Sequence, residues 1–274
     1  MRRIGWKFVS AALVCFAGSP AALAAPAAHV PGDYVYVGSI DLGAPGGWDY
    51  ASFADGRLYI GHASKIDVVD LASGKVVGSA GPLNEGHGAA ADIAIGRGFA
   101  TSGGDGIVKE FSLTDFSIVK DIPVGSDADG IVLDPSTGAV LVTRGDAKQL
   151  VIIDAKAGAI AHQVDLPGEP EFLAPDGHGK VFVNITSTGE LSKVDIASGK
   201  VEATWPLTGC RRPHGLAYDH RTRRLFAGCA NAVVVAVDPR DGRVLATLPA
   251  GSFNDAMLVD EKRGRVFCPN ADGT

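Results

Sequence analysis

A single turn motif returns about every 42 residues, and that period limits the folds open to this chain more than any other feature. The motif is a β-forming run, then Asp, then a small-residue turn with Gly, then a second β-forming run. It reads Val68-Val69-Asp70-Leu71-Ala72-Ser73-Gly74-Lys75-Val76. It returns at Ile153-Asp154-Ala155-Lys156-Ala157-Gly158, at Val194 to Val201 and at Val237 to Val244, with a degenerate copy at Phe111-Ser112-Leu113-Thr114-Asp115. Marker positions 70, 112, 154, 195 and 238 give steps of 42, 42, 41 and 43. Asp and Ser side chains accept backbone N–H bonds two residues on, and Gly takes the positive-φ position that closes the hairpin.

A second hairpin interleaves with the first. Its returning strand carries a large residue: Leu58-Tyr59-Ile60, Gly98-Phe99-Ala100, Val140-Leu141-Val142, Val181-Phe182-Val183, Leu225-Phe226-Ala227 and Val266-Phe267. Each period therefore holds four short strands and two tight turns, the signature of a β-propeller blade. A sandwich does not repeat its turn chemistry on a fixed period, and no helical periodicity competes. First-strand and second-strand pairs occur six times, and the sixth lacks third and fourth strands before Thr274. The segment Tyr34 to Leu42 has no preceding pair, and its Val37-Gly38-Ser39 matches the last-strand sequence Val77-Gly78-Ser79. The expectation is an all-β propeller of the seven-bladed type, C-terminally incomplete, with about six blades present over residues 33–274 as an open arc whose N-terminal outer strand awaits the missing last blade.

Residues 1–24 read as a separate object. Arg2, Arg3 and Lys7 precede an apolar run from Ala11 to Gly18, and Ala22-Leu23-Ala24 fits a signal-peptidase site. The run is too short to span a bilayer, so the segment reads as a bacterial Sec-type signal peptide and the product as periplasmic or secreted. Removing it leaves 22 basic against 31 acidic residues, a net charge of −9. Such a chain is a poor partner for nucleic acid, and no other stretch is long and apolar enough for a membrane helix. Arg211-Arg212 and Arg221, Arg223 and Arg224 form one local basic patch, read as solvated turn residues.

The motifs at 68–76 and 194–201, with the Asp134-Pro135-Ser136-Thr137-Gly138 turn, resemble those of YVTN-type (YncE-like) seven-bladed propeller repeat proteins. The resemblance covers about residues 33 to 274. It implies bacterial export, a rigid disc with a central channel, and a binding or surface role. Similar propellers also act as amine dehydrogenase heavy chains, lactonases and antibiotic lyases, so fold alone does not select a chemistry.

Two sets of residues stand out as candidates. Cys210 lies before a first strand and Cys229 near the end of the next, places that meet at one end of a blade. An intrablade disulfide is the expectation for an exported chain, with two buried free thiols as the alternative. The other set lies where first strands enter the channel. Counting back from the second strands gives Asp49, Ala89, Asp129, Pro170, His214 and Asp255, with Trp48, His87 and Glu171 beside the series. Equivalent positions converge on a propeller's axis, so carboxylates and imidazoles would ring one opening. Such a ring suits a divalent cation or acid–base work; the alternative is a set of polar residues that merely solvate the channel. His62, His162, His178 and His220 read as solvated loop residues.

No nucleophile elbow or close metal-ligand pair accompanies these residues. The sequence therefore points to a monomeric binding or scaffold protein for a protein partner or small molecule. The alternative is a lactonase- or lyase-like enzyme using the channel mouth.

Overall fold

A computed structural model describes residues 36–43 and 46–273. The signal-type segment lies outside the described residues. The first blade is formed by β1 (Trp48–Ala54), β2 (Arg57–His62), β3 (Lys65–Asp70) and β4 (Lys75–Ala80). The second holds β5 (Gly86–Asp92), β6 (Arg97–Ser102), β7 (Ile107–Ser112) and β8 (Ile118–Pro123). The third holds β9 (Ala128–Asp134), β10 (Ala139–Arg144), β11 (Gln149–Asp154) and β12 (Ala159–Asp165). The fourth holds β13 (Pro170–Pro175), β14 (Lys180–Ile185), β15 (Glu190–Asp195) and β16 (Lys200–Pro206). The fifth holds β17 (Pro213–Asp219), β18 (Arg224–Cys229), β19 (Val233–Val237) and β20 (Val244–Pro249). Every blade is an antiparallel meander with strands paired in chain order.

The blade count differs from the expectation of about six blades in a seven-bladed plan. Five blades are complete. The sixth strand pair makes only a two-stranded sheet, β21 (Leu258–Asp260) and β22 (Arg265–Phe267). Its strands are three residues long, and among the described residues no third or fourth strand follows to cover them. The expected N-terminal outer strand is also absent from residues 36–43, which carry no strand and leave Val37 exposed. Tyr34 lies outside the described residues.

The repeated turn motif is the hairpin between third and fourth strands. Asp70 Oδ1 accepts from Ser73 N at 2.7 Å and Ser73 Oγ at 2.6 Å, while Gly74 takes φ 66°. Asp195 and Ser198 repeat this at 2.8 and 2.6 Å. The core lies between successive blades, where strands present continuous apolar runs to both faces. Phe99, Val108 and Ile122 of the second blade pack with Val140, Val142 and Val151 of the third. Leu141, Leu150 and Ile152 pack onward against Val181, Val183 and Val194. First strands adjoin in order, β1 to β5, β9, β13, β17 and β21. They therefore form the inner wall, and their entrances share one end of the channel.

Candidate functional site at the channel mouth

Each first strand opens with one pair to the end of its second strand: Trp48 with His62, Gly86 with Ser102, Ala128 with Arg144, Pro170 with Ile185, and Pro213 with Cys229. Asn254 pairs likewise with Asn270 in an isolated bridge. In each of the five blades the register then slips before the ladder resumes. Such a bulge takes residues out of the ladder and re-aims them. The residue just after the opening pair is Asp49, His87, Asp129, Glu171, His214 and Asp255 in turn.

These six positions are structurally equivalent, which corrects the alignment by counting. Ala89 is a ladder residue paired to Ala100, and Pro170 is the opening partner itself. The count slipped for two reasons. The β1–β2 turn has two residues whereas the β5–β6 turn has four, and β13 is one residue shorter than the other complete first strands. His87 and Glu171 therefore belong to the ring rather than beside it.

Along the wall the ring reads acid, imidazole, acid, acid, imidazole, acid. It is two copies of one triad. In the first, His87 Nδ1 lies 2.8 Å from Asp49 Oδ2 and 3.6 Å from Asp129 Oδ1. In the second, His214 Nδ1 lies 2.9 Å from Glu171 Oε1 and 3.9 Å from Asp255 Oδ1. The contact to Glu171 is close but poorly angled, so neither nitrogen of the buried His214 makes a hydrogen bond. Asp129 Oδ1 is likewise buried without one.

Crowding of like charges out of water decides the electrostatics. Burial, reinforced by Glu171, Asp49 and Asp127, pushes the Asp129 carboxyl up to about 7 despite the opposing pull of His87. The hydrogen bond to Asp49 raises His87, against a smaller opposing effect of burial. Burial also raises Asp255.

Several residues around the mouth were not legible as site residues. Tyr50 follows Asp49 and reaches the fourth blade, its ring edge-on to Phe172 with centroids 5.0 Å apart. Burial first, then Asp129, Glu171, Asp49 and Asp255, keep its phenol protonated far above the usual range. Asn184 donates to His214 O at 2.9 Å and Gly215 O at 3.1 Å, fixing the bulge that carries His214. His62, expected in solvent, is 1% exposed and bonds Asp67 at 2.6 Å through Nδ1. Trp48 is 67% exposed at the rim, with its ring edge-on to that of His62 at 6.2 Å.

Cys210 and Cys229 form a disulfide with Cα atoms 5.4 Å apart. Because Cys229 pairs with Pro213, the bridge lies one residue from His214 in the ladder. Of the local basic patch, Arg223 and Arg224 border a separate cleft between the fourth and fifth blades, beside Tyr218 and Arg243. That cleft is lined by first-to-second and third-to-fourth turns, at the strand ends opposite the mouth.

Known proteins agree with this architecture. Hydrazine synthase from Kuenenia stuttgartiensis superposes with a TM-score of 0.57 at 14% identity, over 78% of this chain and 89% of that one. The computationally designed protein Ika8 superposes with a TM-score of 0.67 at 18% identity, over 83% of this chain and 69% of that one. At such identities the likeness concerns the fold. No curated protein matches the sequence. Residues 23–267, nearly the whole chain, match the PQQ_2 family, described as outer membrane protein assembly factor BamB, and the chain belongs to that β-propeller family.

Proposed function

We propose that this chain is an exported binding protein whose channel mouth takes a small, positively charged ligand. The observation that carries this reading is the convergence of four carboxylates and two imidazoles at equivalent bulges. A site with Asp129 and His214 largely removed from water favours a compensating positive charge. The signal-type segment and the YVTN-like blade motifs support export. The family's description as an outer membrane assembly factor supports protein docking on the faces. Among the described residues no helix is long and apolar enough to cross a membrane.

The family label also evokes pyrroloquinoline quinone, but the mouth does not fit it. That quinone is a tricarboxylate and would face Asp49, Asp129, Glu171 and Asp255 with no arginine in the ring.

The test is calorimetric titration of the mature protein with spermidine and ethanolamine, with glucose as a neutral control. A cationic probe is expected to bind, and Glu171→Gln with Asp255→Asn to weaken it at least tenfold. Binding unaffected by the double variant, or no cation binding at all, refutes the reading.

One observation favours a second reading, a lyase- or lactonase-like activity. Asp129 ionises near neutral pH within 3.6 Å of His87, as a general acid–base pair requires. Turnover of a simple lactone, lost at least a hundredfold in Asp129→Asn, would support it, and absence of turnover in the wild type would exclude it for that substrate.

A further inference from the structure

We propose that Asp49, His87 and Asp129 form a site for one divalent transition-metal ion of the zinc or manganese class. The proposal rests on the reading of the mouth as a cation site and names the cation.

The first support is geometric. The three side chains come from three successive blades, each from the residue after the opening pair. One donor atom from each lies within 4.8 Å of the others. His87 Nδ1 stands 2.8 Å from Asp49 Oδ2 and 3.6 Å from Asp129 Oδ1. Donors bound at about 2.1 Å around a tetrahedral or octahedral ion sit roughly 3.0 to 3.4 Å apart, so a sub-ångström adjustment seats an ion among them. The propeller wall holds all three donors without a flexible loop.

The second support is what the neighbouring side chains lack. Asp129 Oδ1 is buried with no hydrogen bond. Buried polar atoms are normally satisfied. An ion at the triad would engage the Asp129 oxygen.

The third support is donor chemistry. One imidazole with two carboxylates suits zinc, manganese or iron(II) better than calcium, which prefers an all-oxygen cage of six to eight donors. Three protein donors leave coordination positions free, as in sites that bind a further ligand rather than structural ones. The second triad, whose His214 and Asp255 are 3.9 Å apart, is the looser one and is assigned no ion.

The experiment titrates chelator-stripped mature protein with zinc chloride and, separately, manganese chloride. One equivalent is expected to bind. His87→Ala and Asp129→Asn should each lower affinity at least thirtyfold, whereas Asp121→Asn, on the outer strand β8 away from the mouth, should change it less than threefold. Circular dichroism of each variant checks folding, and the near-isosteric Asp129→Asn keeps the test valid if His87→Ala does not fold. Cobalt(II) adds a spectroscopic arm: its visible bands should shift in Asp129→Asn and persist in Asp121→Asn. No metal uptake by the wild type, or uptake indifferent to His87 and Asp129, overturns the proposal. If metal fails while spermidine still binds in a Glu171-dependent way, the inference falls and the broader reading stands. If both fail, both fall.

Discussion

Replacing Asp129 by Asn should stabilise the metal-free protein, by an amount that grows with pH. The native carboxyl ionises near 7, mainly because it is buried. In the unfolded chain an aspartate ionises near 4. Below both values the carboxyl is protonated in either state and costs nothing. Between them the unfolded state releases its proton first, so stability falls as pH rises, and above 7 the full penalty applies. That penalty is roughly 4 kcal/mol at most, and the part incurred between pH 5 and pH 8 is about 2.5 kcal/mol. The Asp129 side chain keeps 28% exposure, so water screening should reduce the observed figure to about 1 to 2 kcal/mol. The hydrogen bond to Asp49 raises His87 above its ordinary value, which also adds stability at low pH that is lost as pH rises. Its main partner is Asp49, so this contribution largely cancels between wild type and variant. The assay is urea unfolding of both proteins in chelator at pH 5, 6, 7 and 8. The advantage of Asp129→Asn should widen with pH and level off above 7. An advantage that stays flat, or reverses sign, would show that Asp129 is solvated and that the electrostatic account of the mouth is wrong.

Other perturbations read out different parts of the molecule. Cys210→Ala with Cys229→Ala opens a loop of 19 residues' separation and should cost about 3 kcal/mol in the chain-entropy treatment, measured by urea unfolding with and without reductant. Gly61→Ala would place a Cβ 1.9 Å from His87 O, a backbone atom that cannot swing away. It should cost about 2 kcal/mol or more through displacement of β5, with a matching loss of mouth binding. Gly228→Ala meets Asn254 Oδ1 at 1.3 Å and should loosen the last sheet, seen as faster backbone amide exchange at Leu258–Asp260. Tyr50 should stay protonated at pH 11 in an ultraviolet titration, where an exposed phenol has ionised; its phenolate appearing there would contradict its burial among carboxylates.

The blades were legible in the sequence because their turns are chemically demanding. An Asp accepting from Ser two or three residues on, followed by a positive-φ Gly, can be recognised without knowing what packs around it. The β-branched runs then follow from the turns. The site was legible as a list of residues but not as a register. Counting needs equal turn lengths, and the two-residue turn at Asp55-Gly56 breaks that equality, so His87 slid out of the ring and Ala89 slid in. Tyr50 and Asn184 were invisible for another reason. Tyr50 matters through Phe172, 122 positions later, and Asn184 through the backbone of His214, and no local pattern encodes a contact between blades. The expectation of about six blades included the incomplete sixth pair, whereas Leu258–Asp260 and Arg265–Phe267 form a two-stranded sheet and five blades are complete.

The most direct test of the account is an anomalous difference map from crystals grown with zinc, with data collected on both sides of the zinc absorption edge. It should show one strong peak bonded to Asp49, His87 and Asp129 at about 2.1 Å. A map with no peak at the mouth, or with its strongest peak elsewhere on the protein, would contradict the assignment of a metal ion to Asp49, His87 and Asp129.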